Sequence, residues 1–253
     1  MKEITYKERA VFYTQEVKKN QKNIKLLNTI RKKYNINYAV LCPCASGLYF
    51  EEFSKLFKQS YFIDIEKNMI DFINEQNKAK HVKNVKTYIC NMKDINKLKI
   101  KCDCIFVLDQ GMQYLDYSEF KTFLDNSYLV SEYIVLDLFN FNSGKKLTYY
   151  DSEIEDNKFY FSKKFTFKEL DVQRYNKHIH HRNHIMFWYR YFDKDRLLYE
   201  TNFRLYNYEY NWVKKIIEKS NKFSIQEKIK YKDGTYVIVL KRIIDKTERS
   251  ISE

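Results

Sequence analysis

The segment 38–57 constrains the fold most strongly, because an apolar run breaks into a turn of small residues and then gives way to a helical pattern. The apolar run extends from Tyr38 to Cys42, and the turn extends from Pro43 to Gly47. This order predicts a buried strand, a tight turn and an amphipathic helix. Small residues in such a turn let backbone N–H groups approach a ligand at the start of the helix.

Strand-like and helical patterns alternate over the first half of the chain. Asp64 closes the second apolar run, where a carboxylate can accept hydrogen bonds from a ribose diol. Strands separated by helices predict right-handed crossovers and a mostly parallel sheet, with ligands at the carboxyl ends of its strands. We therefore expect a doubly wound α/β fold with a nucleotide-type site. The predicted strands are 39–42, 61–64, 85–89, 103–108 and 132–138, and the predicted helices are 48–58, 67–79 and 117–130.

The remaining segments predict additions to this sheet. Helical spacing over 6–34 predicts one or two helices that act as a lid, and alternating aromatic segments in 140–203 predict antiparallel strands of an insertion. A helix at 208–220 and a hairpin, turned at Lys232 to Gly234, close the pattern. The hairpin strands are predicted at 223–230 and 236–241. The predicted divisions are a lid at 1–36, a core at 37–139 and 204–244, and a substrate-binding insertion at 140–203.

The formal net charge of +13 comes from 46 basic and 33 acidic residues. A charge of this size favours an acidic partner, either a nucleic acid or an anionic small molecule. The lysines are scattered singly and in pairs along the chain, which favours a solvated surface over a nucleic-acid footprint.

Four of the five cysteines form two Cys-x-Cys pairs, Cys42 with Cys44 and Cys102 with Cys104. Such neighbours share one face of a strand and do not easily close a disulfide. We expect reduced thiols, a cytoplasmic location and no metal site. The N-terminus is charged and no run of eighteen apolar residues occurs, so we expect neither a signal peptide nor a membrane span.

Four motifs stand in order, each at the end of a predicted strand. The ordered set resembles the class I S-adenosylmethionine-dependent methyltransferases, and among them the small-molecule and peptide amine N-methyltransferases. The resemblance extends from about residue 10 to 242 and implies a Rossmann-like, mostly parallel seven-stranded sheet that binds S-adenosyl-L-methionine. The motifs are Leu41-Cys-Pro-Cys-Ala-Ser-Gly47, Phe62-Ile-Asp64-Ile-Glu-Lys-Asn-Met69, Tyr88-Ile-Cys-Asn91-Met-Lys-Asp94 and Asp103-Cys-Ile-Phe-Val-Leu-Asp109-Gln-Gly-Met-Gln-Tyr-Leu115.

The resemblance implies a role for each motif. The turn lies against the methionine half of the cofactor, Asp64 binds the ribose hydroxyls, and Asn91 binds the exocyclic amine of the adenine. Lid residues Arg9 and Tyr13 are candidate contacts to the cofactor carboxylate. The residues implied in cofactor binding are Pro43, Cys44, Ala45, Gly47, Asp64, Ile65, Met69, Asn91, Met92, Leu108, Gln110, Arg9 and Tyr13.

Three residues depart from the pattern of the family. Leu41 stands where the family usually has an acidic residue that orients the cofactor amino group. Ala45 replaces the central glycine, and its methyl group is tolerable if its φ is negative. Asn91 stands where the family commonly has Asp, and it keeps an acceptor oxygen. Leu41 and the loss of glycines from the turn raise an alternative, a catalytically degenerate methyltransferase fold that serves as a binding or scaffold subunit.

The chemistry of methyl transfer requires mainly that a nucleophile be positioned and desolvated. A neutral amine attacks unaided, whereas a hydroxyl needs a base, and the sequence offers no compelling base. We therefore predict an amine acceptor on a small molecule, sugar or modified peptide, with Asp109 and Tyr114 as catalytic residues. The charge and the aromatic content leave an RNA methyltransferase as the alternative. The chain is expected to be a monomer or a homodimer.

The segment 178–184 contains four histidines. His178 and His180 share a face in a strand, and His180 and His184 share one in a helix. Surface or nucleic-acid-contacting histidines are the preferred interpretation, ahead of a metal pair or a general base for a hydroxyl substrate.

Overall fold

The computed structural model describes residues 8–140, 158–167, 170–181, 183–231 and 234–244. None of the helices in these ranges has the length and apolar character that crossing a membrane requires. The helices are α1 (Arg9–Glu16), α2 (Gln21–Tyr34), α3 (Phe50–Leu56), α4 (Lys67–Lys80), α5 (Tyr117–Ser127) and α6 (Tyr210–Ser220), with 3₁₀ segments at Met92–Leu98 and Gly111–Tyr114. The strands are β1 (Tyr38–Leu41), β2 (Gln59–Asp64), β3 (Val85–Ile89), β4 (Cys102–Val107), β5 (Ser131–Phe139), β6 (Tyr160–Phe167), β7 (Leu170–His180), β8 (His184–Asp193), β9 (Arg196–Tyr206), β10 (Phe223–Lys230) and β11 (Thr235–Arg242).

Seven strands form one sheet in the order β10-β11-β5-β4-β1-β2-β3. Strands β1 to β5 are parallel to their neighbours within this group, and β11 pairs antiparallel with both β5 and β10. The predicted doubly wound sheet with an antiparallel C-terminal hairpin is confirmed. The predicted turn of this hairpin includes Lys232 and Asp233, which lie outside the described residues.

Apolar clusters cover both faces of this sheet. Ala39 and Leu41 of β1 belong to one cluster, and Val40 and Cys42 belong to the other. Successive strand residues point to opposite faces, so a strand buried on both faces needs an uninterrupted apolar run. Helices α2, α3 and α4 contribute to the first cluster, and α5 and α6 contribute to the second. Burial on both faces therefore explains the uninterrupted apolar run from which β1 was predicted.

Strands β6 to β9 form a separate antiparallel sheet in sequence order. This confirms the predicted β-rich insertion after the fifth strand. The aromatic segments that predicted this insertion, 158–161, 165–167, 184–192 and 197–203, do not include β7, because its inner face is polar. Arg174, Asn176 and His178 occupy alternate positions of β7, and each is at most 8% exposed.

The two N-terminal helices pack against different sheets. Phe12 of α1 makes edge contacts with Phe167 and Tyr191 of the insertion, at centroid distances of 5.0 and 4.9 Å. Leu27 and Ile30 of α2 instead belong to an apolar cluster of the seven-stranded sheet. Helix α1 therefore bridges the insertion and helix α4 of the core, while α2 is part of the core packing.

Candidate cofactor and acceptor site

A cavity of about 1320 Å³ lies between the carboxyl ends of the parallel strands, helix α1 and the inner face of the insertion sheet. Single-ligand sites usually enclose about 300–1,000 Å³, so this cavity has room for a cofactor and a second molecule. Of the predicted site residues, Gly47 alone does not line it. Those that line it are Arg9, Tyr13, Pro43, Cys44, Ala45, Asp64, Ile65, Met69, Asn91, Met92, Leu108, Asp109, Gln110 and Tyr114.

Gly47 lies behind the turn and shapes its backbone. Its φ is +74°, and a Cβ there would lie 2.8 Å from Cγ1 of Ile73. Ala45 has a φ of +45°, so the condition of a negative φ is not met. A residue with a Cβ is strained in this left-handed region, and the departure at Ala45 costs more than one extra methyl group.

Asp64 at the end of β2 fixes the turn that follows β1. Its Oδ2 accepts a hydrogen bond from the Ala45 N–H at 2.8 Å, and its Oδ1 accepts one from the Glu66 N–H at 3.0 Å. Burial raises the pKa of this carboxyl, and the two backbone hydrogen bonds oppose the rise. A carboxylate held in this way at a strand end is suited to accept hydrogen bonds from ribose hydroxyls.

Asp109 follows β4 and lies at the centre of a polar network. Its Oδ1 accepts hydrogen bonds from Nδ2 of Asn23 at 2.7 Å and from the hydroxyl of Tyr49 at 3.1 Å. Its backbone N–H donates to Oδ2 of Asp137 at 3.0 Å. Burial raises the pKa of the Asp109 carboxyl, and the hydrogen bonds from Tyr49 and Asn23 oppose this. The network fixes the position of the carboxylate.

The sequence analysis did not select Asn23, Tyr49 or Asp137. Asp137 carried a usable signal, because it stands near the end of the fifth apolar run, as Asp64 does for the second. Asn23 lies within α2 and Tyr49 stands directly before α3, and neither lies in a motif. Only the folded chain brings them to Asp109.

Gly111 brings the turn after β4 against the turn after β1. A Cβ at Gly111 would lie 2.5 Å from Cδ of Pro43, so only glycine permits this approach. The two turns therefore form one wall of the cavity, next to Asp64. Small side chains in both turns let the backbone approach a bound ligand closely, as nucleotide-type cofactors require.

The residues after β3 lie at the other side of Asp64. Ile65, which directly follows Asp64 of β2, is 60% exposed, while Met92 after β3 is 6% exposed and also packs in the core. Oδ1 of Asn91 accepts a hydrogen bond from the Lys93 N–H at 3.2 Å and caps the 3₁₀ segment. The amide oxygen has a second lone pair, so the predicted contact to an adenine amine is compatible with this cap.

Aromatic side chains line the part of the cavity below the insertion. Tyr114 projects into it with 51% of its surface accessible, and its ring lies 5.9 Å from that of Phe203. Desolvation by the surrounding cavity walls raises the pKa of Tyr114 to about 12, with the carboxylates of Asp64 and Glu16 adding to the effect. Burial also raises the pKa of Tyr13 and of Tyr189. These hydroxyls are therefore neutral at physiological pH.

The interpretation of surface histidines was wrong for His178. This residue is 7% exposed, lines the cavity and has its ring 4.6 Å from that of Phe187. His181 and His184 stack at 4.4 Å near the turn between β7 and β8. Within the described ranges, no group of three or more His, Cys, Asp and Glu residues is arranged to hold a metal ion.

Comparisons with known proteins agree with this architecture. Residues 41–131 match the family model of a methyltransferase domain. A search of curated proteins found no match. An S-adenosylmethionine-dependent methyltransferase from Clostridium acetobutylicum superposes with a TM-score of 0.74 and 14% identity, over 94% of this chain and 98% of that one.

Two further structures share the fold. The sugar N-methyltransferase KedS8 from a Streptoalloteichus species has a TM-score of 0.70 and 12% identity, over 92% of each chain. CalS10, an amino pentose methyltransferase from Micromonospora echinaspora solved with S-adenosylmethionine bound, has a TM-score of 0.67 and 11% identity, over 93% of this chain and 96% of that one.

The sheet order, the wall built by two strand-end turns and the family match over residues 41–131 define a Rossmann-like methyltransferase fold. Residues 41–131 are therefore a methyltransferase domain, and the chain has the fold of S-adenosylmethionine-dependent methyltransferases, which indicates S-adenosyl-L-methionine as its cofactor.

Proposed function

We propose that this methyltransferase N-methylates an amine on a small molecule, a sugar or a modified peptide. The observation that supports this most is the lining of the cavity below the insertion, where the neutral hydroxyls of Tyr13, Tyr114 and Tyr189 accompany aromatic rings. Hydroxyl oxygens and ring faces attract a cationic ammonium group. An amine in its resting ammonium form is therefore a suitable occupant.

The residues of the chain mainly position the acceptor and exclude water. When bound, the cofactor supplies an electrophilic methyl group on a sulfonium. Tyr114 is proposed to orient the amine, because its hydroxyl can accept a hydrogen bond from the nitrogen. Helix α1 and the insertion sheet cover the cavity, and the removal of water disfavours the charged ammonium form, which releases a proton to bulk water before reaction. The lone pair of the neutral amine would then form the new N–C bond as the S–C bond of the sulfonium breaks, with S-adenosylhomocysteine as the leaving group.

An amine suits this cavity better than a hydroxyl, because a hydroxyl acceptor needs a base at the reacting atom. His178 is a poor candidate for that base. Its ring contacts Phe187, whose ring stacks on Phe203 at 5.1 Å, and Phe203 in turn contacts Tyr114. The imidazole is thus linked to Tyr114 through two phenylalanine rings, and its ring nitrogens lie within 3.4 Å of the Tyr160 hydroxyl.

The similar structures support the same class of acceptor. KedS8 is described as a sugar N-methyltransferase and CalS10 as an amino pentose methyltransferase. At 11–12% identity these likenesses concern the fold, so the acceptor of this chain needs its own test.

The test uses matched amines and alcohols. The enzyme is incubated with S-adenosylmethionine and with pairs such as glucosamine and glucose, or an amino acid and its hydroxy-acid analogue, and the products are analysed by mass spectrometry. The proposal expects a methyl group on nitrogen and no product from the alcohols. A methyl group on oxygen, or on RNA alone, would contradict it.

A pair of tyrosine variants tests the position of the acceptor. Tyr114→Phe is expected to lower the rate about tenfold or more, because it removes the hydroxyl that orients the amine. Tyr128→Phe serves as the control, because the Tyr128 hydroxyl donates to the Ile243 carbonyl at 3.2 Å outside the cavity. Equal rates for the two variants would show that the Tyr114 hydroxyl does not orient the acceptor.

A further inference from the structure

The methionine half of S-adenosylmethionine carries an ammonium group, which needs a partner when the cofactor is buried. Leu41, the first residue of the turn motif, supplies none. It is 2% exposed and belongs to the apolar cluster that includes Phe106 and Val135. The partner must therefore come from elsewhere on the wall of the cavity.

The strand register shows where such a partner lies. Leu41 pairs with Phe106 of β4, and Phe106 pairs with Val135 of β5. Asp137 lies two residues beyond Val135, and Asp109 lies three residues beyond Phe106. Both acids therefore lie at the carboxyl end of the sheet. Asp109 is one strand away from Leu41, and Asp137 is two strands away. Asp109 lines the cavity on the wall shared by the two strand-end turns.

The other acids that line the cavity are occupied or differently placed. Asp137 also lines it, but its Oδ2 accepts hydrogen bonds from the Asp109 N–H at 3.0 Å and from Nδ2 of Asn23 at 3.5 Å. Glu16 forms an ion pair with Arg174, and Glu119 forms one with Lys93. Asp64 holds the turn and is assigned to the ribose. Glu66 stands two residues past Asp64, before α4, on the side away from the β4 turn.

Asp109 is exposed to the cavity and already oriented. Asn23 and Tyr49 both donate to its Oδ1, and Asp137 anchors its backbone N–H. Its Oδ2 accepts no hydrogen bond from any residue in the described ranges, so this oxygen is available to a ligand. A carboxylate preorganised by two neutral donors suits an ammonium group with three N–H donors.

We propose that Asp109, positioned by Asn23, Tyr49 and Asp137, binds the α-ammonium group of the cofactor in place of an acid at position 41. This assignment gives Asp109 a cofactor-binding role instead of the catalytic role predicted from the sequence. It rests on the cofactor and not on the nature of the acceptor, so it can fail while the proposed amine methylation stands.

Calorimetric binding of two probes tests the assignment without turnover. The probes are S-adenosylhomocysteine and its deamino analogue, in which hydrogen replaces the α-amino group. Asp109→Asn keeps the size of the side chain and removes its charge. We expect this variant to bind S-adenosylhomocysteine at least about tenfold more weakly and the deamino analogue within about twofold of the wild type.

Asp103→Asn is the matched control. Asp103 lies at the start of β4, six residues before Asp109 and about 20 Å from it, and accepts hydrogen bonds from the backbone N–H groups of Asn37 and Tyr38. It is expected to leave the affinity for both probes unchanged.

Two results would overturn the assignment. Equal weakening of both probes would show that Asp109 shapes the site without contacting the ammonium group. An unchanged affinity for S-adenosylhomocysteine, with a lower kcat, would show that Asp109 acts on the acceptor and does not bind the cofactor. Circular dichroism of each variant verifies that the fold is kept.

Discussion

Replacing Ala45 by glycine should stabilise the protein, although most Ala→Gly changes destabilise. Ala45 has a φ of +45° and lies between Cys44 and Ser46 in the turn after β1. A residue with a Cβ is disfavoured in this region, whereas glycine adopts it freely. The Ala45 N–H that binds Asp64 is a backbone group, so the substitution keeps that hydrogen bond.

The expected magnitude is the difference of two terms. Relief of the left-handed strain contributes roughly 1–2 kcal/mol to folding. The greater freedom of glycine in the unfolded chain opposes this by about 0.4–1 kcal/mol. The net gain is about 0.5–1 kcal/mol, which corresponds to a rise in Tm of about 1–4 °C for a chain of this size.

Urea unfolding monitored by circular dichroism measures this difference. Ala39→Gly is the control, because Ala39 is fully buried in β1 and has no positive φ. We expect the control to lose about 1 kcal/mol or more through flexibility and lost packing. A loss of stability at Ala45 as large as that at Ala39 would refute the reasoning.

Three further predictions concern other contacts of the site. Gly111→Ala should lower the free energy of unfolding by about 1–3 kcal/mol and weaken cofactor binding, because the new methyl group would lie 2.5 Å from Cδ of Pro43. Thermal unfolding with and without S-adenosylhomocysteine measures both effects. Glu16→Gln should cost about 3 kcal/mol of unfolding free energy, because it breaks a buried ion pair, whereas Glu218→Gln at an exposed pair should cost less than about 1 kcal/mol. Equal losses would contradict this. Burial raises the pKa of Asp64, so the affinity for S-adenosylhomocysteine should be complete at neutral pH and fall on acidification at a pH above that of an ordinary aspartate. Asp64→Asn should reduce this dependence in calorimetric titrations and leave the part due to Asp109, whose pKa is also raised.

The parallel sheet could be predicted because its strands are buried on both faces. A strand such as β1 must then be apolar throughout, and the helices between the strands set the parallel order. Strand β7 escaped prediction for the opposite reason. Arg174, Asn176 and His178 are buried and line the cavity. Because they are polar, this strand lacks the apolar alternation by which a half-buried strand is predicted.

The candidate site could be predicted only where one residue at the end of a strand carries the role. Asp64 and Asp109 have that position, and the structure places both on the cavity. Asn23 and Tyr49 act through their tertiary contact with Asp109, which no local pattern encodes. The positive φ of Ala45 likewise depends on the closure of the whole turn.

A crystal structure with S-adenosylhomocysteine tests the central claim most directly, namely that the turns after β1, β2 and β4 hold the cofactor. The account predicts ribose hydroxyls within hydrogen-bond distance of Asp64 and the ammonium group on Asp109, with the homocysteine chain along the wall where Gly111 meets Pro43. A nucleoside bound away from Asp64, or no binding by a folded protein at millimolar ligand, would contradict it.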